Sequence, residues 1–321
     1  MTRFPERSHW RDYEFFERNF IADFFILAIE WIYQFLREYS LTMIVVALFV
    51  RLVLLPVDVK QRANSRKMAS INPEVESLRK RYANNPEQCN LRINKLYKER
   101  GISPMAGCLP MLLQLVFLLA FYGALRSIAA KETMSLVLRA AEHGAEGVQL
   151  TKWLWVHNLW QPDSGMAGVL PSASEFLTFL QTNTNTITPQ TMGILQSKGL
   201  ILFNEGILSV NEAAYNALCS GIIAANGLTG VNNGWFILPL LSGGAMFFQQ
   251  WVSAKLNPNP AMEKQMGMMK YIYPVVSFMI CLSSNTMFAI YWTFTSVYSM
   301  AVDFFFNLIY RKKEEKRTAK A

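Results

Sequence analysis

The chain has 321 residues and a formal net charge of +8, and hydrophobic residues make up 52% of it. Such a high apolar share is unusual for a soluble domain and indicates a polytopic membrane protein. Three His and four Cys with no CxxC pair favour neither a catalytic histidine site nor a disulfide framework. No metal and no other cofactor is expected.

Five segments have the length that a membrane-spanning helix needs. A helix rises about 1.5 Å per residue, so about 20 apolar residues cross roughly 30 Å of hydrocarbon. An earlier apolar stretch, residues 19–37, carries Asp23 and Glu30 and favours an amphipathic interfacial helix, with a full crossing left open. The predicted segments, in chain order, are a polar N-terminal segment (1–18), the interfacial helix (19–37), the first core span (38–58), a cytoplasmic basic helical hairpin (59–104), the second core span (105–127), an external loop with an insert (128–234), the third core span (235–254), a cytoplasmic loop (255–268), the fourth core span (269–284), the fifth core span (285–310) and a basic cytoplasmic tail (311–321).

The distribution of charge predicts the orientation of these spans. Residues 59–104 hold eleven Lys and Arg against four acids, whereas residues 128–234 hold four against seven. Cytoplasmic loops carry the excess of Lys and Arg, so residues 59–104 and the basic tail are predicted inside and residues 128–234 outside. The net charge is thereby explained by topology and by anionic lipid, and no DNA partner is expected.

Arg51 lies inside the first predicted span, in the stretch "LTMIVVALFVRLVLLPV". On an ideal helix it is roughly 16 Å from Ser40 and roughly 10 Å from Asp58, within the membrane core. Helical side chains lean toward the amino terminus, here away from the nearer interface, so snorkelling is disfavoured. Intramembrane charges usually face a bundle interior or a wet cavity. A wet cavity is the favoured interpretation, and a buried ion pair with Asp303 is the alternative.

Other polar residues in the predicted spans could line the same cavity. Gln114 stands in the middle of the second span, where an unpaired amide is costly. Tyr291, Thr295 and Ser299 recur every four residues in the fifth span and so share one helix face. The alternative for Thr295 and Ser299 is that their hydroxyls bond carbonyls of their own helix.

The first basic loop has the composition of two helices. Asn85, Pro86 and Gln88 form a start resembling a capping box, and Arg100 followed by Gly101 forms a stop. An antiparallel cationic hairpin is therefore predicted, either as a solvated face or as a docking surface. For the basic tail the alternatives are a topological anchor and a ribosome contact.

Several stretches, taken in order, resemble the YidC membrane protein insertases of the Oxa/Alb/YidC family. They cover roughly residues 20–162 and 233–312 and include "FVRLVLLPV", "INPEVESLRKRY", "SPMAGCLPMLLQ", "WLWVHNLWQPD", "GWFILPLLSGGAMFFQQWV" and "AIYW". The resemblance implies a five-helix insertase core with a cytoplasmic hairpin and a hydrophilic groove. Arg51 corresponds to the groove arginine, Gln114 follows the "GCLPMLLQ" motif, and Tyr291 and Trp292 occupy the aromatic pair of the last span.

The resemblance implies a multi-pass protein of the bacterial plasma membrane that inserts nascent membrane proteins into that membrane. No enzymatic chemistry is implied. Expected partners are nascent membrane proteins and the lipid bilayer, with the ribosome and the Sec translocon as further candidates. A channel or secondary transporter with a charged cavity is the alternative, although no inverted repeat or paired broken helix is visible. The insert after "WQPD" departs from the family, and a small folded or surface-lying lobe is expected there.

Overall fold

The computed structural model describes residues 20–102, 109–182, 187–256 and 267–318, and within them the chain is predominantly helical. The predicted segment 1–18 and most of the loop 255–268 lie outside the described residues. The elements are α1 (Phe20–Leu36), α2 (Tyr39–Ser70), α3 (Asn72–Arg81), α4 (Pro86–Glu99), α5 (Leu109–His143), α6 (Ala173–Thr182), α7 (Pro189–Ser197), β1 (Ile201–Asn204), β2 (Ile207–Val210), α8 (Glu212–Ala225), α9 (Ile237–Leu256), α10 (Met269–Ser283) and α11 (Thr286–Thr318).

The chain divides into two compact units. The first unit comprises the described residues up to Trp31, Ala120–Ile237 and Cys281–Phe288. The second unit comprises Ile32–Leu119, Leu238–Ile280 and the described residues from Ala289 onward. Among the described residues, α2 alone is long and apolar enough to cross a membrane by length and composition, and Phe24–Leu36 and Lys270–Ser283 form shorter apolar helices.

Helix α2 begins at a side-chain cap and extends further than the sequence predicts. The carboxylate of Glu38 accepts a hydrogen bond from the Leu41 backbone N–H, at 3.2 Å, which satisfies one of the free amides at the helix start. Pro56 lies inside the helix, yet α2 continues to Ser70. The predicted boundary between residues 58 and 59 is therefore not a helix end, and the second half of α2 belongs to the segment interpreted as the hairpin.

Helices α3 and α4 pack together through a small apolar cluster. Ile71, Val75, Cys89, Ile93 and Ile102 are all buried in it. As the sequence predicts, the Asn85 side chain caps α4 by accepting from the Gln88 N–H at 3.1 Å, and Gly101 follows the helix with a φ of 62° that favours glycine. Arg100 and Glu74 form an exposed ion pair between the two helices at 2.8 Å.

The remaining long helices begin or end close to the predicted spans. Helix α9 covers the third span within two residues, and the break between α10 and α11 falls at residues 284–285, where the fourth span was predicted to end. Helix α5 continues well past the predicted end at residue 127, and α11 continues through most of the basic tail. Crossing of the membrane by each of these helices stays a prediction.

The insert forms a folded lobe within the first unit, and this lobe departs from the predicted all-α class. Strands β1 and β2 pair antiparallel, from Ile201 opposite Val210 to Asn204 opposite Ile207. Glu205 and Gly206 connect them with φ of 51° and 81°, as a tight two-residue hairpin turn requires. Large apolar residues from α5, α6, α7 and α8 form the core beneath the hairpin, with Tyr215 stacked on Phe176 at 4.7 Å between ring centroids.

A polar cluster joins three loops of the first unit around Asp163. The carboxylate of Asp163 is fully buried and accepts hydrogen bonds from the Trp155 indole N–H at 3.0 Å and from the Trp235 backbone N–H at 2.8 Å. The Thr286 hydroxyl donates to the Gln161 carbonyl at 2.7 Å. A Cβ at Gly234 would overlap the Asp163 side chain, so glycine is required there. The cluster therefore ties residues 155–163 to the start of α9 and the start of α11.

Cys219 of α8 is a buried thiol whose reactivity reports on folding of the lobe. Burial raises the pKa of the Cys219 thiol from 9.0 to about 11, and burial likewise raises the pKa of Tyr215 beside it. Since the neutral thiol is favoured in the folded lobe, the contribution of Cys219 to stability is complete below about pH 9 and is lost as the pH rises through about 11.

In a single-cysteine variant that retains Cys219, we expect alkylation by iodoacetamide at about pH 8.5 to be at least about fiftyfold slower in the folded protein than in denaturant, because only the thiolate reacts. Mass spectrometry of the labelled protein over time measures the two rates. The same variant in denaturant is the control, and rapid labelling of the folded form would show that the lobe does not bury this thiol.

Candidate functional site

Arg51 lies on the buried face of α2. Met43, Ala47, Val50 and Leu54 occupy the same face at helical spacing and are buried, whereas the opposite face exposes large apolar side chains such as Phe49 and Val53. The Arg51 side chain is 9% exposed. The guanidinium is therefore turned toward the helices of the second unit and away from the apolar surface.

A cavity of about 100 Å³ adjoins Arg51 within the second unit. A site of this size has room for several waters, and its lining includes polar groups that can bind them. Its walls come from α2, α5, α9 and α11. The lining residues are Val50, Arg51, Leu54, Phe117, Leu118, Met246, Gln249, Tyr291, Trp292, Thr295 and Ser296.

Contacts between α9, α10 and α11 position the Trp292 side chain at the cavity. The Trp292 indole N–H donates to the hydroxyl of Ser277, at 2.7 Å, and Ser277 is fully buried. Helix α9 approaches α10 closely, since a Cβ at Gly243 would lie 3.2 Å from the Pro274 carbonyl oxygen. A small residue at this position allows the two helices to pack with little space between them.

The hydroxyl stripe of α11 is divided between the cavity and its own helix. Tyr291 and Thr295 line the cavity, and Ser299 does not. The Ser299 hydroxyl donates to the Thr295 carbonyl at 2.8 Å, and the Thr295 hydroxyl donates to the Trp292 carbonyl at 2.9 Å. Both hydroxyls therefore bond to carbonyls of their own helix, as the alternative interpretation proposed. Thr295 also lines the cavity, whereas Ser299 does not.

Two polar lining residues were missed by the sequence interpretation, and one predicted residue is not described. The side chain of Gln114 lies outside the described part of the chain. Gln249 of α9 and Ser296 of α11 line the cavity without having been singled out. The argument used for Gln114, that an amide in an apolar span needs a partner, would have found Gln249 in "FFQQWV".

Asp303 forms an ion pair with Arg62 of α2. On the sequence alone, Arg51 was instead considered as its partner. Arg62 also lies over the Phe306 ring, with 5.8 Å from its guanidinium carbon to the ring centroid, and Arg66 lies 3.9 Å over the Tyr310 ring. Cationic side chains on the second half of α2 therefore face the second half of α11.

Residues 31–210, more than half of the chain, match the family model described as "60Kd inner membrane protein". This chain belongs to that family. The match begins near the end of α1 and includes Arg51 and helices α3 and α4. The family description refers to an inner membrane, which agrees with the expected bacterial plasma membrane.

Curated relatives agree with the family assignment. A protein of Clostridium perfringens is 36% identical over 142 residues, which are 44% of this chain and 52% of the relative. A protein of Clostridium tetani is 30% identical over 169 residues, 51% of this chain and 69% of the relative. A protein of Chlorobium phaeovibrioides is 24% identical over 287 residues, 89% of this chain and 36% of the relative.

Each of these relatives is named "Membrane protein insertase YidC". The resemblance inferred from the motifs is confirmed. The chain spans 52% of the Clostridium perfringens relative and 36% of the Chlorobium phaeovibrioides relative.

Proposed function

We propose that this chain is a membrane protein insertase that accepts polar segments of nascent membrane proteins in the cavity beside Arg51. The observation that carries the proposal is the burial of a guanidinium against a cavity between α2, α5, α9 and α11 whose lining includes further polar groups. Membership of the 60Kd inner membrane protein family and the names of the relatives support it. The same names do not favour a channel or a transporter.

In the proposed mechanism Arg51 lowers the cost of moving hydrophilic polypeptide into the membrane. A charged or polar group loses its hydration in hydrocarbon, and a fixed guanidinium with neighbouring water replaces part of that hydration. The apolar helix of the substrate then passes into lipid, and its burial drives the step by about 0.8 kcal/mol per CH₂. No covalent chemistry is required.

The finer topology is part of the same proposal. Five spans correspond to the apolar parts of α2, α5, α9, α10 and α11, with α1 at the interface and the α3–α4 hairpin in the cytoplasm. The excess of Lys and Arg in residues 59–104 supports this orientation. Substrates are nascent membrane proteins, and the ribosome and the Sec translocon are proposed as further partners.

Neighbouring positions on α5 offer a matched test of the groove. Leu118 lines the cavity, whereas Leu119 is 61% exposed on another face of the helix. A photoreactive amino acid at position 118 is expected to crosslink strongly to a stalled nascent membrane protein, and the same group at position 119 to crosslink weakly. Gel analysis of radiolabelled nascent chains measures both yields. Equal yields from the two positions would contradict a substrate path through the cavity.

A further inference from the structure

We propose that Arg62 is a second cationic binding position for acidic segments of the substrate, held in place by Asp303. This inference rests on the proposed function, because it adds an entry position to the same path. Four observations carry it: the location of Arg62 on α2, its contacts with α11, its remaining hydrogen-bond donors and the charge of the surrounding residues.

Arg62 and Arg51 lie on nearly the same face of one continuous helix. They are eleven residues apart, which corresponds to about 16 Å along the axis and about 20° around it. Helix α2 is uninterrupted between them. In the predicted orientation Arg62 is nearer the cytoplasm, so an acidic segment that enters from the cytoplasm reaches Arg62 before Arg51.

The guanidinium of Arg62 is fixed by two residues of α11. Its Nη1 pairs with a carboxylate oxygen of Asp303, whose side chain is almost fully buried. The Phe306 ring lies against the same guanidinium. A guanidinium held in this way loses less conformational entropy when it binds an anion than one on a mobile side chain.

Arg62 retains donors after it has paired with Asp303. A guanidinium has five N–H donors, and the ion pair with Asp303 uses Nη1. The Nε–H of Arg62 is buried and has no hydrogen-bond partner among the described residues. An unpaired buried donor is costly, and a carboxylate can accept from two donors of one guanidinium. Because 18% of the Arg62 side chain remains exposed, we expect a substrate carboxylate to reach the guanidinium while Asp303 remains in contact.

The charges along this path leave a net attraction for acids. Arg51, Arg62 and Arg66 are opposed by Asp58 and Asp303, so the group carries a net charge of +1. Asp58 interacts electrostatically with both Arg51 and Arg62. Because Asp58 precedes Arg62 by four residues on α2, it also favours the orientation of the Arg62 side chain.

The test compares two substrates in proteoliposomes that contain the full chain. One is a small phage-coat-like protein with an acidic translocated tail, and the other has the same tail with Asn and Gln in place of the acids. We expect Arg62→Gln to reduce insertion of the acidic substrate about tenfold relative to the neutral one, as loss of a charge-assisted hydrogen bond predicts. Protease protection of the tail measures insertion. The ratio of the two substrates within one variant corrects for differences in the amount of folded protein.

Variants of Asp303 test whether it positions Arg62. Asp303→Asn is expected to lower the acidic-to-neutral ratio about threefold, because a neutral amide holds the Arg62 guanidinium less firmly than a carboxylate does, and Asp303→Glu is expected to restore it. Arg79→Gln, which removes an exposed positive charge on α3, is the control and should leave the ratio unchanged.

Two outcomes would overturn the inference. The first is an unchanged ratio in Arg62→Gln, whether both substrates are lost equally or neither is lost, and the second is a higher ratio in Asp303→Asn, which would show that Asp303 blocks Arg62. Arg51→Ala serves as the reference in the same assay. If it lowers the ratio while Arg62→Gln does not, the proposed function stands and only the second position is disproved.

Discussion

Arg51→Ala is expected to reduce insertion of a substrate with an acidic translocated tail by about tenfold or more. The variant removes the positive charge beside the cavity, so the carboxylates of the tail would cross without a counter-charge. Placing an unpaired charge in the membrane core costs about 2.5 to 3.5 kcal/mol on insertion scales. Arg51→Lys keeps the charge and is expected to retain most of the insertion. Protease protection of the tail in proteoliposomes measures both.

The same helix provides a matched control for this experiment. Lys60 lies nine residues after Arg51 on α2 and is exposed, so Lys60→Ala removes one positive charge without altering the cavity lining. Insertion by this variant should equal that of the unmodified protein. If Arg51→Ala and Arg51→Lys both insert the acidic substrate normally, the positive charge has no role in the path.

Asp163→Ala is expected to destabilise the first unit by about 3 kcal/mol, the amount typical for loss of a buried charged acceptor that holds two donors. The Trp155 indole N–H and the Trp235 backbone N–H would both lose their acceptor. These groups join residues 155–163 to the start of α9. In the variant, residues 155–163 should therefore become accessible to protease at a lower temperature than in the unmodified protein. Thermal unfolding followed by tryptophan fluorescence measures the loss in stability.

Glu146→Ala removes an acid from an exposed position in the same unit and serves as the control, with an expected change within about 0.5 kcal/mol. Gly234→Ala should resemble Asp163→Ala, since its Cβ would overlap the Asp163 side chain. A fully stable Asp163→Ala protein would show that the three loops are held together by other contacts.

The parts of the fold that follow from local sequence were predicted well. Asn85 caps α4 and Gly101 follows its end because side-chain capping and positive φ depend on a few adjacent residues. The break near Asn285 between α10 and α11 also falls where the predicted fourth span ends and the fifth begins. The β-hairpin was missed, although a two-residue turn such as Glu205–Gly206 between apolar runs is a recognised hairpin signal.

Polar contacts between distant segments could not be predicted from the sequence. Asp303 was considered as a partner for Arg51 because it was the acid placed well inside another predicted span, but it pairs with Arg62, which had been placed in the cytoplasmic loop. The error has a physical source: α2 continues past Pro56 to Ser70, so its second half reaches α11. Gln249 similarly became a lining residue only when α9 packed beside α2 and α11.

Composition and periodicity by themselves indicated a helical membrane protein with an arginine inside its first long helix, since transfer free energies depend on residue type and helical spacing. The tertiary structure decided which side chains share the cavity with Arg51, which cation Asp303 neutralises and how Asp163 holds three loops together. Each of these contacts joins residues far apart in the chain, and their distances depend on how the helices pack, which no local pattern specifies.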